Sequence, residues 1–285
     1  MKPHRFACLL PLLTAASFGD AASFSTVGGT YAQDFDGLSK GGLVVDEEVF
    51  PDKTKQVAIS AAVDLVNTGV EGWYMRNDRG SSANTEYRVH NGSLSGSAGR
   101  GVVSFGATNS NERALGALPT SNQVSSFALY LRNDTGVTLD TVSISYVGEQ
   151  WRVGDVGRAN SLAFSFRTFS NFSATQVGYT GLSYSEVPSL GFAAPFTGSG
   201  ALNNTAVDGN QVGYRTNIDG VINLSWAPGD ILALQWSGFD LTGQDQGLAI
   251  DSLAVSAIPE PSVYALAIGS FAIFAAGARR RLKPV

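Results

Sequence analysis

This chain is poor in cysteine, histidine and charge. Its 285 residues include one cysteine, two histidines and two methionines, and 15% of them are charged. The cysteine is Cys8, so everything beyond the first few residues lacks disulfides and thiol chemistry. A body of this length buries enough apolar surface to fold without such staples. Beyond His4, the one histidine is His90. A Ser-His-Asp triad would need it as the base, yet it stands beside Asn91-Gly92 in a polar stretch and reads as a solvated side chain. One histidine without cysteine does not build a His-based zinc site. Gly96-Ser97-Ala98-Gly99 lacks the strand-to-helix setting of a phosphate loop. No stretch between residues 24 and 257 carries a helical period of useful length, and no internal repeat of fixed period is visible.

Charge of one sign dominates what charge there is. Residues 22–258 hold 13 Lys and Arg against 22 Asp and Glu, a balance of −9. An acidic surface argues against nucleic acid and anionic lipid as partners, and suits an extracellular protein.

Apolar and polar residues alternate with a period of two. The pattern recurs at Phe127, Leu129 and Leu131, at Val142, Ile144 and Tyr146, at Leu162, Phe164 and Phe166, and at Leu232, Leu234 and Trp236. Turn-forming clusters separate these runs: Asn133-Asp134-Thr135-Gly136, Asp208-Gly209-Asn210 and Ala227-Pro228-Gly229-Asp230. Many short strands with Gly-rich turns predict an all-β fold, a single antiparallel β-sandwich of jelly-roll type over residues 22–257. Residues 77–100, polar and rich in Gly and Ser, read as long loops around one or two short strands.

The two ends are apolar in a different way. Residues 1–21 read as a secretory signal peptide: a basic start, an apolar stretch from Phe6 to Phe18, and small residues at Gly19 and Ala21 before a cleavage point. Residues 258–285 form a tail. Pro259-Glu260-Pro261 precedes the uncharged run 262–278, and Arg279, Arg280, Arg281 and Lys283 follow. Seventeen helical residues cover about 26 Å, close to the thickness of a hydrocarbon core. The run therefore reads as a transmembrane helix, with the arginines as a cytoplasmic stop.

This order of Pro-Glu-Pro, apolar span and Arg cluster resembles the PEP-CTERM sorting signal of Gram-negative bacteria, a tail also labelled ice-binding protein C-terminal domain. The regular Thr arrays that ice binding would use are absent. The resemblance implies that Pro259, Glu260 and Pro261 are read by an exosortase, a membrane enzyme linked to exopolysaccharide export. It also implies an inner-membrane-anchored precursor that later reaches the cell surface or extracellular matrix. In the body, the Tyr31–Asp36 segment, Gly72-Trp73-Tyr74, the Glu112–Gly116 and Tyr146–Arg152 segments and Gly247-Leu248-Ala249-Ile250-Asp251 resemble a recurrent ectodomain of PEP-CTERM proteins. The last of these is also similar to the closing strand of carbohydrate-binding or adhesive jelly rolls.

Candidate sites in the body follow from these pieces. The first and last strands of a jelly roll often lie side by side, which would bring Asp36 towards Asp251 as ligands of a structural Ca²⁺, an ion that takes oxygen donors. Trp73, Tyr74 and Tyr179 are candidate exposed platforms for a carbohydrate such as exopolysaccharide. Glycoside hydrolysis would need two facing carboxylates, of which Glu149 is one candidate, although Glu149 paired with an arginine beside a buried Trp151 fits equally. The reading is a non-catalytic structural or adhesive surface protein; the alternatives are a carbohydrate-binding module and a glycan-active hydrolase.

Overall fold

Side chains that alternate between two environments build the framework. The computed structural model describes residues 21–38, 57–58, 70–79, 82–84, 87–120, 122–170 and 183–259. Its strands in the first half are β1 (Ala22–Phe24), β2 (Thr30–Gln33), β3 (Val57–Ala58), β4 (Trp73–Arg79), β5 (Ser82–Asn84), β6 (Tyr87–His90), β7 (Gly101–Phe105) and β8 (Ala114–Leu118). The second half holds β9 (Gln123–Asn133), β10 (Leu139–Val153), β11 (Ser161–Phe169), β12 (Ser185–Glu186), β13 (Phe192–Ala193), β14 (Thr205–Ala206), β15 (Arg215–Trp226), β16 (Ile231–Phe239) and β17 (Gly247–Ile258). The α-helix among the described residues is one four-residue turn, Gly96–Gly99, which lies with β5 and β6 in the stretch read as long loops around one or two short strands. All four alternating runs lie in strands, β9, β10, β11 and β16, and the three turn clusters lie between strands.

The strands form two sheets. One runs β12-β11-β16-β9-β4-β3, with β1 on β9, β13 on β11 and β5 on β4; the other runs β14-β10-β17-β8-β7-β6, with β15 on β10 and β2 on β17. Pairing is antiparallel except for β1 with β9 and β6 with β7, which are parallel. The sheets face each other across one apolar core to which both contribute, so the fold is an all-β sandwich. Trp236 sits in the middle of that core. It stacks on Phe127 and Trp73, with ring centroids 5.9 Å away in each case, and meets Phe164 and Tyr146 edge-on at 5.1 and 5.6 Å. Such aromatic pairs contribute about 0.5–1.5 kcal/mol each beyond area burial.

Both outer faces are also covered in part. Tyr74, Ala128, Tyr130, Ile231 and Ala233 cluster on one, and Val103, Phe105, Ala114, Leu118, Trp151 and Ala249 on the other. Central strands are therefore buried on both sides, and the polar-out pattern is clear only where a strand is open, as at Ser143 and Ser145 in β10.

The N-terminal segment joins both sheets. β1 pairs with β9, while β2 pairs with β17 in the register Leu253 with Gln33 to Ser256 with Thr30. The last strand thus lies beside β2, whereas the first strand, β1, pairs with β9 in the other sheet, so the expected pairing of first and last strands is off by one strand. No helix among the described residues is long and apolar enough to cross a membrane. The signal segment, Glu260, Pro261, the run 262–278, Arg279, Arg280, Arg281 and Tyr179 lie outside the described residues.

Candidate functional site

The outer face of the β10–β17 pair gathers three carboxylates. In the antiparallel register Glu149 lies opposite Ala249 and Val147 opposite Asp251. Residues two apart in a strand share a face, so Glu149 and Asp251 are diagonal neighbours. The register then shifts between Ser145 and Val147, and Ser252 takes the left-handed conformation, φ 50°. This bulge lets Leu253 return to the core directly after the outward-facing Asp251. Glu112 arrives from the loop between β7 and β8. Carboxylate oxygens of Glu112, Glu149 and Asp251 lie within 4.8 Å of one another.

Each carboxylate has one oxygen held and one free. Trp151 Nε1 donates to Glu149 Oε2 at 3.0 Å, Ser252 Oγ donates to Asp251 Oδ2 at 2.9 Å, and Asn210 Nδ2 donates to Glu112 Oε2. The other oxygens, Glu149 Oε1, Asp251 Oδ1 and Glu112 Oε1, are buried with no hydrogen-bond partner. Glu149 is 0% exposed, and Glu112 and Asp251 are half-buried. Burial, followed by the charges of Asp251 and Glu112, pushes the Glu149 carboxyl up to about 8. Burial also raises Asp251 to about 6, with Glu112 and Asp36 adding to the effect against the Ser252 hydrogen bonds.

The expected arginine partner of Glu149 does not form an ion pair with it. Ion pairs among the described residues include Arg76–Asp78, Arg132–Asp134 and Arg158–Asp155. Arg113, next to Glu112, turns its guanidinium to Ser104 and Ala107. Trp151 is buried as expected, but in the outer cluster and not between the sheets.

Asp36 lies at the margin of this group. It is exposed, and its Oδ1 accepts the Arg113 backbone N–H at 3.2 Å. Its charge is the smallest of the influences that act on Asp251, and the oxygens that converge with Asp251 belong to Glu112 and Glu149. Neither glutamate was singled out as a ligand from sequence, because nothing local marks a strand residue and a loop residue as neighbours.

Trp73 and Tyr74 are not the exposed platforms expected from sequence. Trp73 is 0% exposed, packs between Phe35 and Trp236, and donates from Nε1 to Tyr31 Oη at 2.9 Å. Tyr74 is 2% exposed and meets Tyr130 edge-on at 5.0 Å. The reason is topological: β4 lies inside its sheet, so its successive side chains enter the two opposite clusters. Nor is His90 the solvated side chain expected from sequence. It closes β6, is buried, accepts the Gly92 N–H at Nδ1, and lies 3.1 Å from the Gly99 carbonyl through Nε2.

A cleft of about 470 Å³ opens beside the carboxylates, lined by Asn91, Ser110, Glu112, Trp151, Asp208 and Asn210 among others. Glu112 therefore borders both the cleft and the carboxylate cluster.

No family model matches the chain, and no curated protein matches it. Among solved structures it is similar to the family 11 carbohydrate-binding module from Clostridium thermocellum in complex with a beta-1,3-1,4-mixed-linked tetrasaccharide. Identity there is 12% over 72% of this chain and 96% of the module, with a TM-score of 0.32. The xylan-binding domain from CBM 22 is 11% identical over 67% of this chain and 89% of its own, TM-score 0.33. The catalytic domain of Agl-KA is 9% identical over 82% of this chain and 28% of its own, TM-score 0.31. At such TM-scores these likenesses carry no argument about the site.

Proposed function

We propose that this chain is an exported surface or extracellular-matrix protein with a non-catalytic, structural or adhesive β-sandwich, delivered as a membrane-anchored precursor and sorted through its C-terminal tail. The observation that carries this reading is the order Pro259-Glu260-Pro261, the uncharged run 262–278 and Arg279, Arg280 and Arg281. The jelly-roll type and the exosortase as processing partner belong to the same proposal. Two features of the body support a non-catalytic role. His90, the one histidine after His4, is buried with Nδ1 occupied by a backbone N–H. Glu149 is fully enclosed, and a carboxylate oxygen of it lies within 4.8 Å of oxygens of Glu112 and Asp251, which leaves no room for a sugar ring between them.

Reporter fusions after Val285 test the orientation. A reporter active only in the cytoplasm should be active, and one active only outside it should be silent; the reverse result would sink the proposal. In a host that carries an exosortase, Glu260→Ala should leave membrane insertion intact and block processing. Normal processing of that variant would show that the motif is not read.

Carbohydrate binding is the second reading, favoured by one observation: the polar cleft with Asn91, Asp208 and Asn210 on its walls. A glycan array with the full chain in detergent tests it. Binding that persists in an Asn210→Ala, Asp208→Ala double variant would remove the cleft as the ligand site.

A further inference from the structure

We propose that Glu112, Glu149 and Asp251 bind one hard divalent cation of calcium size, which ties the β7–β8 loop to the β10–β17 pair. The inference concerns the body alone and is independent of the tail.

The neighbouring buried polar groups show what is unusual. Gln150 Nε2 donates to Gln246 Oε1 at 2.6 Å, Arg113 Nε to Ser104 Oγ at 2.8 Å, and Arg152 Nη1 to the Gly92 carbonyl at 2.6 Å. Buried polar atoms are almost always paired in this way. Against that background three carboxylates, each with one buried oxygen that has no donor, bring oxygens within 4.8 Å of one another. One belongs to Glu149, a side chain that is 0% exposed and whose other oxygen is already fixed by Trp151. Buried carboxylates in mutual contact repel unless a proton or a cation lies between them.

Geometry and donor chemistry favour the cation. Calcium binds oxygen at 2.3–2.6 Å, so two oxygens on one ion stand at most about 5 Å apart. The observed limit of 4.8 Å meets that requirement for all three. The set is all oxygen, without nitrogen or sulfur, which suits a hard ion. Each carboxylate is oriented through one oxygen, by Trp151, Ser252 and Asn210, the support that ligands of a metal centre need. Glu112 borders the open cleft, which supplies a path for the ion and for the waters that would complete its shell. Burial raises the Glu149 carboxyl, so protons compete with the ion, and the experiment separates these two occupants.

The test uses the full chain in detergent. Terbium is the first probe, as a luminescent substitute for calcium, because the Trp151 indole donates to Glu149 and lies within range to sensitise it. One terbium per chain is expected, displaced by calcium and at least tenfold less well by magnesium, which requires shorter bonds. The melting temperature should rise with calcium by roughly 5–10 °C at 100 times the dissociation constant, and chelation should reverse the rise. Glu149→Gln keeps the shape of the side chain and removes the charge. It should abolish both signals while melting no lower than the chelated wild type, so lost binding is not mistaken for lost folding. Asp36→Asn should change affinity by no more than a few-fold. A wild type without terbium emission and without a calcium-dependent melting shift overturns the site and leaves the carboxyls sharing protons. Equal competition by magnesium overturns the calcium-sized assignment. A loss in Asp36→Asn equal to that in Glu149→Gln overturns the ligand set.

Discussion

His90 ends β6 with its ring wedged edge-on against Phe105, centroids 5.2 Å apart. Because Nδ1 accepts the Gly92 N–H, the proton resides on Nε2 and points at the Gly99 carbonyl. Burial, and then the charges of Arg152, Arg88 and Arg113, push its pKa down from 6.5 to about 4 against the Gly99 hydrogen bond. A base with a depressed folded pKa favours the native state fully above pH 6.5 and loses that contribution as pH falls towards 4. The loss is on the order of 3 kcal/mol. Asp245 acts in the opposite sense: burial raises it to about 7, so its contribution is complete below pH 4 and fades as pH rises through 7. The difference between wild type and variant isolates each group. Urea midpoints measured from pH 7 to pH 4 should fall less for His90→Gln than for wild type; parallel curves would show that His90 is solvated after all. Trp73 is the other residue whose environment changes its role. Trp73→Ala empties the centre of the aromatic core and is expected to destabilise by about 3–5 kcal/mol, read as a lower urea midpoint. A change within 0.5 kcal/mol would restore the exposed-platform reading.

At the scale of elements, β10 organises one sheet. Its 15 residues pair with β14, β15 and β17, and its core face carries Val142, Ile144 and Tyr146 before reaching Gly148. There a side chain has no space: a Cβ on Gly148 would stand 2.3 Å from the Phe192 ring. That glycine is a packing requirement and not a break in the strand. Gly148→Ala should push Phe192 aside and cost about 1–3 kcal/mol, with the terbium site intact because the glycine faces away from it. Thermal melting checks the cost; an unchanged melting temperature would mean that Phe192 moves freely. The β17 bulge is the second decisive element. Without the left-handed Ser252, Asp251 and Leu253 would share one face, and either the core would lose Leu253 or the outer face would lose Asp251.

At the scale of the whole molecule, the N-terminal segment links the two sheets that the core holds face to face. β1 belongs to one sheet and β2 to the other, and both lie within residues 22–33. Neither sheet can shed this segment without exposing strand edges on the other. Unfolding of the two sheets is therefore expected as a single transition. Near-ultraviolet circular dichroism, which reports the Trp236 cluster, and far-ultraviolet circular dichroism should give coincident denaturation curves. Two separated midpoints would show that the sheets fold independently. With Cys8 as the only cysteine, reductant should leave both curves unchanged.

The sequence by itself determined the strand content and the inward residues of β9, β10, β11 and β16, because alternation with a period of two is a local property of a pleated strand. It also set the turns at Asn133–Gly136 and Ala227–Asp230, because Gly, Pro, Asn and Asp act on their own backbone. That the N-terminal segment lies against the last strand was legible as well, although β2 and not the first strand makes the pairing. Tertiary structure alone decided the rest. Trp73, Tyr74 and His90 look like surface residues in a polar or aromatic stretch, yet β4 and β6 lie in sheets covered on both faces. Glu112, Glu149 and Asp251 come from a loop and two strands distant in the chain, and only the register of β10 with β17 and the pairing of β8 with β17 bring them to one point. Charge at such a point is long-range in sequence and short-range in space, and one chain read in order carries no local trace of it.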